Sequence, residues 1–115
     1  MRHGFIKTAA GTPKIQVADC VYNAGEILKL IRQMETEGAK IMAFPELCIT
    51  GYTCQDLFLQ ERLLEESLEG LQTVLEHTKG HDALTFVGLP FEKDGKLYNV
   101  AAALNHGKIL GLTTK

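Results

Sequence analysis

Ile41-Met42-Ala43-Phe44-Pro45-Glu46-Leu47-Cys48-Ile49-Thr50-Gly51-Tyr52 holds more structural instruction than any other stretch of the chain. Its first four residues form a short apolar run, the pattern of a strand buried on both faces. Pro45 has no N–H to give a sheet ladder, so the strand is expected to end there. Glu46 then stands where the backbone leaves the sheet, at the strand's C-terminal end. Layered α/β folds display their chemistry at that edge, because its loops converge on one crevice. The apolar neighbours predict poor solvation of Glu46, which pushes a carboxyl towards general-base strength. Taken alone, these residues leave a second reading open: a half-exposed strand-end glutamate in a local salt bridge.

Upstream, Phe5–Ala10 reads as a first strand closed by Gly11-Thr12-Pro13, and Lys14–Asp19 either extends it or forms a surface loop. Asn23 and Glu26 have capping-box spacing, with the Asn side chain as acceptor. Ile27, Leu30, Ile31 and Met34 fall at i, i+3, i+4 and i+7, one apolar helix face, and Gly38 supplies the stop. Strand, helix, strand in this order makes a crossover between parallel neighbours of one sheet.

Downstream, Asp56–Leu59 predicts a short helical turn and Glu61–His77 a longer helix with Leu64, Leu68, Leu71 and Leu75 as its buried stripe. Lys79-Gly80 ends that helix. Ala83–Leu89 reads as a third strand stopped by Pro90. Asp94-Gly95 is a hairpin signal leading into Leu97–Leu104, and Asn105–Lys108 turns into Ile109–Lys115. The expected architecture is α/β: a mixed sheet, parallel first and an antiparallel meander after, with two main helices on one face. The opposite face is then bare and the last strand-like run has no closing element. Residues 1–115 are therefore expected to be the N-terminal portion of a larger, here incomplete, domain.

The chain has 115 residues, 45% hydrophobic and 23% charged, with a net charge of −2. No basic stripe points to nucleic acid, and no run approaches the roughly 20 apolar residues of a membrane helix. The N-terminus lacks the marks of a signal peptide. Cys20, Cys48 and Cys54 are an odd number without a CxxC pair. They suggest reduced thiols and a cytoplasmic protein rather than disulfides or zinc. The four histidines, His3, His77, His81 and His106, are read without ligand spacing, so no metal is expected.

Five segments carry a family resemblance: Ala9–Lys14, Phe44–Tyr52, Val87-Gly88-Leu89-Pro90, Leu97-Tyr98-Asn99 and Ile109-Leu110-Gly111. Together they resemble the front of the nitrilase, or carbon–nitrogen hydrolase, superfamily. Thr12-Pro13-Lys14 and Thr50–Phe58 resemble its branch that forms the glutaminase domain of glutamine-dependent NAD⁺ synthetases. The resemblance implies an α-β-β-α sandwich with a Cys–Glu–Lys triad. A cysteine thiolate attacks the carboxamide of glutamine and forms a thioester with loss of ammonia. On this match Glu46 is the general base and Lys115 the lysine facing the oxyanion. Tyr52 is a candidate for lining the glutamine pocket.

No segment resembles the turn carrying the nucleophile, which the family pattern puts after the lysine. Cys48 is expected to pack as a small hydrophobe and Cys54 to lie in a loop bordering the pocket. The chain alone is therefore expected to be inactive. The resemblance also implies a synthetase domain in the same parent chain, with ATP and Mg²⁺ there and no cofactor here, and a homo-oligomeric parent. Two alternatives stay open: another superfamily amidase acting on a small free amide, and a non-catalytic sandwich serving as an interaction module.

Overall fold

The computed structural model describes residues 6–51 and 61–114. Strand β1 (Thr8–Ala10) leads through a long loop to helix α1 (Cys20–Thr36) and then to β2 (Ile41–Ala43). Helix α2 (Glu61–His77) ends in a 3-10 turn, Thr78–Gly80. Strands β3 (Leu84–Lys93), β4 (Lys96–Asn105) and β5 (Lys108–Thr114) complete the order. The sheet runs β1-β2-β3-β4-β5, parallel between the first three strands and antiparallel between the last three. The mixed sheet and its two crossovers are those expected from the sequence. The predicted turn at Asp56–Leu59 lies outside the described residues.

Helix α1 buries Ile27, Ile31 and Met34 as the apolar spacing requires, with Leu30 at the margin. Its end is a Schellman closure around Gly38, whose φ of +82° suits a residue without Cβ. Gly38 N–H reaches Glu35 O and Ala39 N–H reaches Met34 O, both at 3.0 Å. The start differs from expectation. Asp19, not Asn23, is the N-cap, its side chain accepting from Tyr22 N–H at 3.0 Å. Asn23 lies one turn inside the helix, where it is fully buried and bonded to other segments.

The expected stripe of α2 is also rotated. Leu63, Ser67, Gly70, Leu71, Val74 and Leu75 are buried, whereas Leu68 is 45% exposed. Small residues account for the rotation. A Cβ on Gly70 would stand 3.1 Å from Ile49 Cγ2 and 3.4 Å from Cys20 O, so α2 approaches the core on its Ser67–Gly70 line rather than on its leucines.

Alternation along β3 and β4 sends Val87, Leu89, Val100, Ala102 and Leu104 into one core with Met42 and both helices. Phe86, Ala101 and Ala103 take the other parity and are partly or fully exposed on the opposite face. Pro90 does not stop β3, which pairs with β4 as far as Lys93↔Lys96. Gly88 turns its N–H and C=O towards the loop after β2, bonding Cys48 Sγ (3.4 Å) and Ile49 N–H (3.2 Å). Pro90, two residues on, has the same parity, so its missing N–H faces away from β4 and the ladder loses nothing. The hairpins turn through Asp94-Gly95 and His106-Gly107, all four with positive φ, as type I′ geometry requires. No helix among the described residues is long and apolar enough to cross a membrane.

Candidate active site

Beyond Ala43 the chain makes one more sheet bond, Phe44 N–H to Phe86 O at 3.1 Å, and leaves through Pro45. The turn that follows depends on two unusual backbones. Leu47 adopts a left-handed φ of 52°. Gly88 underlies the turn so closely that a Cβ there would meet Leu47 N at 2.5 Å and Pro45 O at 2.9 Å. Only glycine leaves the turn room to lie across β3.

Asn23 locks the same turn from the helix side. Its Oδ1 accepts from Gln16 N–H, and its Nδ2 donates to Gln16 O and Ile49 O, each at 2.8 Å. Ala18 N–H adds a bond to Thr50 O at 2.9 Å. A buried amide with its donors and acceptor used rigidifies the segments it joins.

Glu46 emerges at the rim of a cavity of about 370 Å³, walled by Phe44, Phe86, Gly88, Ala101 and Thr114 among others. Its Oε1 accepts a hydrogen bond from Asn99 Nδ2. The expectation of poor solvation is not met, because the side chain is exposed among the described residues. The walls are largely apolar, but the cavity is open on one side. Asn99 aligns the carboxylate without competing for its proton, since an amide neither gains nor loses one near neutrality. The geometry suits a proton acceptor held at the mouth of an apolar-walled crevice.

Asn99 carried no role in the sequence reading. Its signal is an amide on the outward parity of β4, opposite Pro90 and next in the chain to Val100-Ala101-Ala102-Ala103. Thr113 and Thr114 also border the cavity. Lys115, Tyr52 and Cys54 lie outside the described residues. Cys48, two residues from Glu46, is fully buried, and burial pushes its thiol up to about 11 against the weaker opposing effect of its hydrogen bonds, chiefly with Gly88. It packs as the sequence suggests, and a thiol so poorly ionised is a poor nucleophile. Cys20 is buried at the first position of α1.

The family model for carbon-nitrogen hydrolase matches residues 7–115. The glutamine-dependent NAD⁺ synthetase of Mycobacterium tuberculosis is 31% identical over 114 residues, 99% of this chain and 17% of that protein. The corresponding enzyme of Aquifex aeolicus is 37% identical over 99 residues, 86% of this chain and 17% of its own length. A crystal structure of a glutamine-dependent NAD⁺ synthetase from Cytophaga hutchinsonii superposes with a TM-score of 0.88 at 29% identity, over 96% of this chain and 19% of that one. The chain thus spans about a sixth of the curated relatives it matches.

Proposed function

Because the chain belongs to the carbon-nitrogen hydrolase family, we propose that it forms the front part of the glutamine-hydrolysing domain of a glutamine-dependent NAD⁺ synthetase. The observation that carries this reading is Glu46, aligned by Asn99 on the rim of the cavity beyond β2. Glu46 is the general base. It takes the proton of a cysteine thiol supplied by a later part of the domain, and the thiolate sulfur bonds to the glutamine carboxamide carbon. Collapse of the adduct breaks the C–N bond, and the proton leaves with ammonia. Water, deprotonated by the same carboxylate, then cleaves the thioester to glutamate. Lys115 faces the oxyanion of both adducts, and Tyr52 lines the glutamine pocket. Neither Cys20 nor Cys48 serves as the nucleophile, since both are buried. Cys54 stands too close to Glu46 in sequence to be that nucleophile, and the 115 residues alone therefore release no ammonia from glutamine. In the full-length protein, ammonia passes to a synthetase portion that uses ATP and Mg²⁺.

Glu46→Gln tests the reading, because it preserves shape and removes the base. In the full-length protein, glutamine-dependent NAD⁺ formation should fall by a factor of about 10²–10⁴, with ammonia-dependent formation intact. An equal loss with ammonia would make Glu46 a structural residue and end the assignment.

A further inference from the structure

At the far end of both helices, three potential ligands meet that the proposed hydrolysis does not use. Glu35 lies in the last turn of α1, His77 is the last residue of α2, and His81 follows the 3-10 turn. One ligand atom from each lies within 4.8 Å of the others. Glu35 Oε1 is 2.9 Å from His77 Nε2, and Glu35 Oε2 is 2.5 Å from His81 Nδ1. The imidazoles stack, with centroids 4.7 Å apart and planes 18° from parallel, so the two rings face one another.

An ion pair accounts for only part of this arrangement. The Oε1–His77 contact is a hydrogen bond. Oε2 is shielded from solvent, and its 2.5 Å approach to His81 Nδ1 is an ion-pair contact without hydrogen-bond alignment. Lys79, between the two histidines in sequence, pairs instead with Glu76 at 2.8 Å. One carboxylate does not need two imidazoles to balance its charge. A cation held by all three would use the shielded oxygen's lone pair and both ring nitrogens.

We propose that Glu35, His77 and His81 form a binding site for a borderline divalent cation, Zn²⁺ foremost. Two imidazoles and a carboxylate suit Zn²⁺ and disfavour the all-oxygen preferences of Ca²⁺ and Mg²⁺. Tetrahedral Zn²⁺ holds such atoms about 3.3–3.4 Å apart, reachable from the observed spread by small side-chain rotations. His81 is half-exposed, its side chain 44% accessible, so the fourth position opens to solvent and takes water or an external ligand. Bound metal ties the C-terminal ends of α1 and α2 to the segment entering β3.

The test is Zn²⁺ titration of the untagged, metal-stripped full chain against a chromophoric chelator. One equivalent should bind with a dissociation constant on the order of micromolar or tighter. His81→Gln and Glu35→Gln should each weaken it at least tenfold, about the size of losses from disturbing a ligand shell. His106→Gln, at a neighbouring turn, should leave it unchanged. Co²⁺ should give the visible bands of a four- or five-coordinate site, absent in His81→Gln. At a tenfold excess over the dissociation constant, Zn²⁺ should raise the melting temperature by on the order of 5 °C. His81 is exposed enough that its substitution leaves the fold intact, which circular dichroism without metal checks. No binding below about 100 μM, well short of ordinary protein zinc sites, overturns the proposal, as does binding that His81→Gln leaves unweakened.

Discussion

Each edge of the sheet carries a glutamate with nitrogen-bearing neighbours, and the two settings differ. The crossovers put the C-terminal ends of α1 and α2 beside the starts of β2 and β3, so Glu35, His77 and His81 occupy the N-terminal edge. Glu46 and Asn99 occupy the opposite edge, where β2 ends. The Glu35 side chain is only 18% exposed and meets His77 and His81 of this chain. Glu46 is exposed over a cavity with an open side. A carboxylate enclosed by its own chain can bind or brace without help. One held out over an apolar crevice is positioned for groups that arrive from elsewhere, and so is the better candidate for catalysis.

The sharpest way to break this contrast is at Lys115. If the C-terminal edge is the catalytic one, Lys115→Arg in the full-length protein replaces a compact ammonium with a wide planar fork that does not fit the same oxyanion. Glutamine-dependent kcat should drop by about two to three decades, the usual loss on removing an oxyanion partner. Glutamine binding should weaken far less, because the charge concerned develops only towards the transition state. His106→Gln at the other edge should leave kcat unchanged. Steady-state kinetics with glutamine decide it, and a near-normal kcat in Lys115→Arg removes that lysine from the reaction.

A smaller effect should come from Asn23, which holds the Glu46 turn from within the helical layer. Asn23→Ala strips three hydrogen bonds from buried or half-buried backbone groups. The expected cost is about 3 kcal/mol, since stranded backbone groups forfeit their solvation. Urea unfolding measures it. A loss below about 1 kcal/mol, the size of one ordinary hydrogen bond, would mean that the turn holds its shape without the helix.

The smallest shift concerns alkaline pH. Burial pushes the Cys48 thiol from 9.0 up to about 11, so the folded state keeps its proton where the unfolded state has lost it. The unfolded chain binds fewer protons between those values, so stability falls as pH rises through that window and is fully present below it. Cys48 should account for about 2–3 kcal/mol of that loss. Unfolding free energies at pH 7.5, 9 and 10.5 (wild type against Cys48→Ala) check it. Equal slopes would show that the thiol is more hydrated than its setting implies.

Local signals were read well where local physics decides. The apolar spacing of α1, the Gly38 closure and the Asp94-Gly95 turn need few distant residues to take shape. The motif resemblance to carbon–nitrogen hydrolases is borne out by the family match and the relatives. The misreadings have long-range causes. Asp19 and Asn23 are both competent caps, and what separates them is Asn23's bond to Ile49 O, 26 residues away. Leucine count favoured Leu64 and Leu68 on α2, but close approach to Ile49 selected Ser67 and Gly70. His77 and His81 stand four apart in sequence, but His81 follows the 3-10 turn in extended backbone, so helical spacing does not foretell that they meet. Their third partner, Glu35, is 42 residues from His77 and could not be paired from the sequence. The roles given to Tyr52 and Lys115 fall on residues outside those described.

Pro90 has one more effect, on the backbone groups that the sheet must satisfy. β2 ends at Ala43 while β3 continues to Lys93, so above Phe86 the side of β3 facing β2 is a gap in strand pairing among the described residues. Cys48 and Ile49 occupy the hydrogen-bonding groups of Gly88 at the bottom of that gap. At the next position of the same parity Pro90 is buried, and having no N–H it leaves no donor there to be stripped of water. The proline that does not end the strand thus spares the sheet an unpaired buried donor.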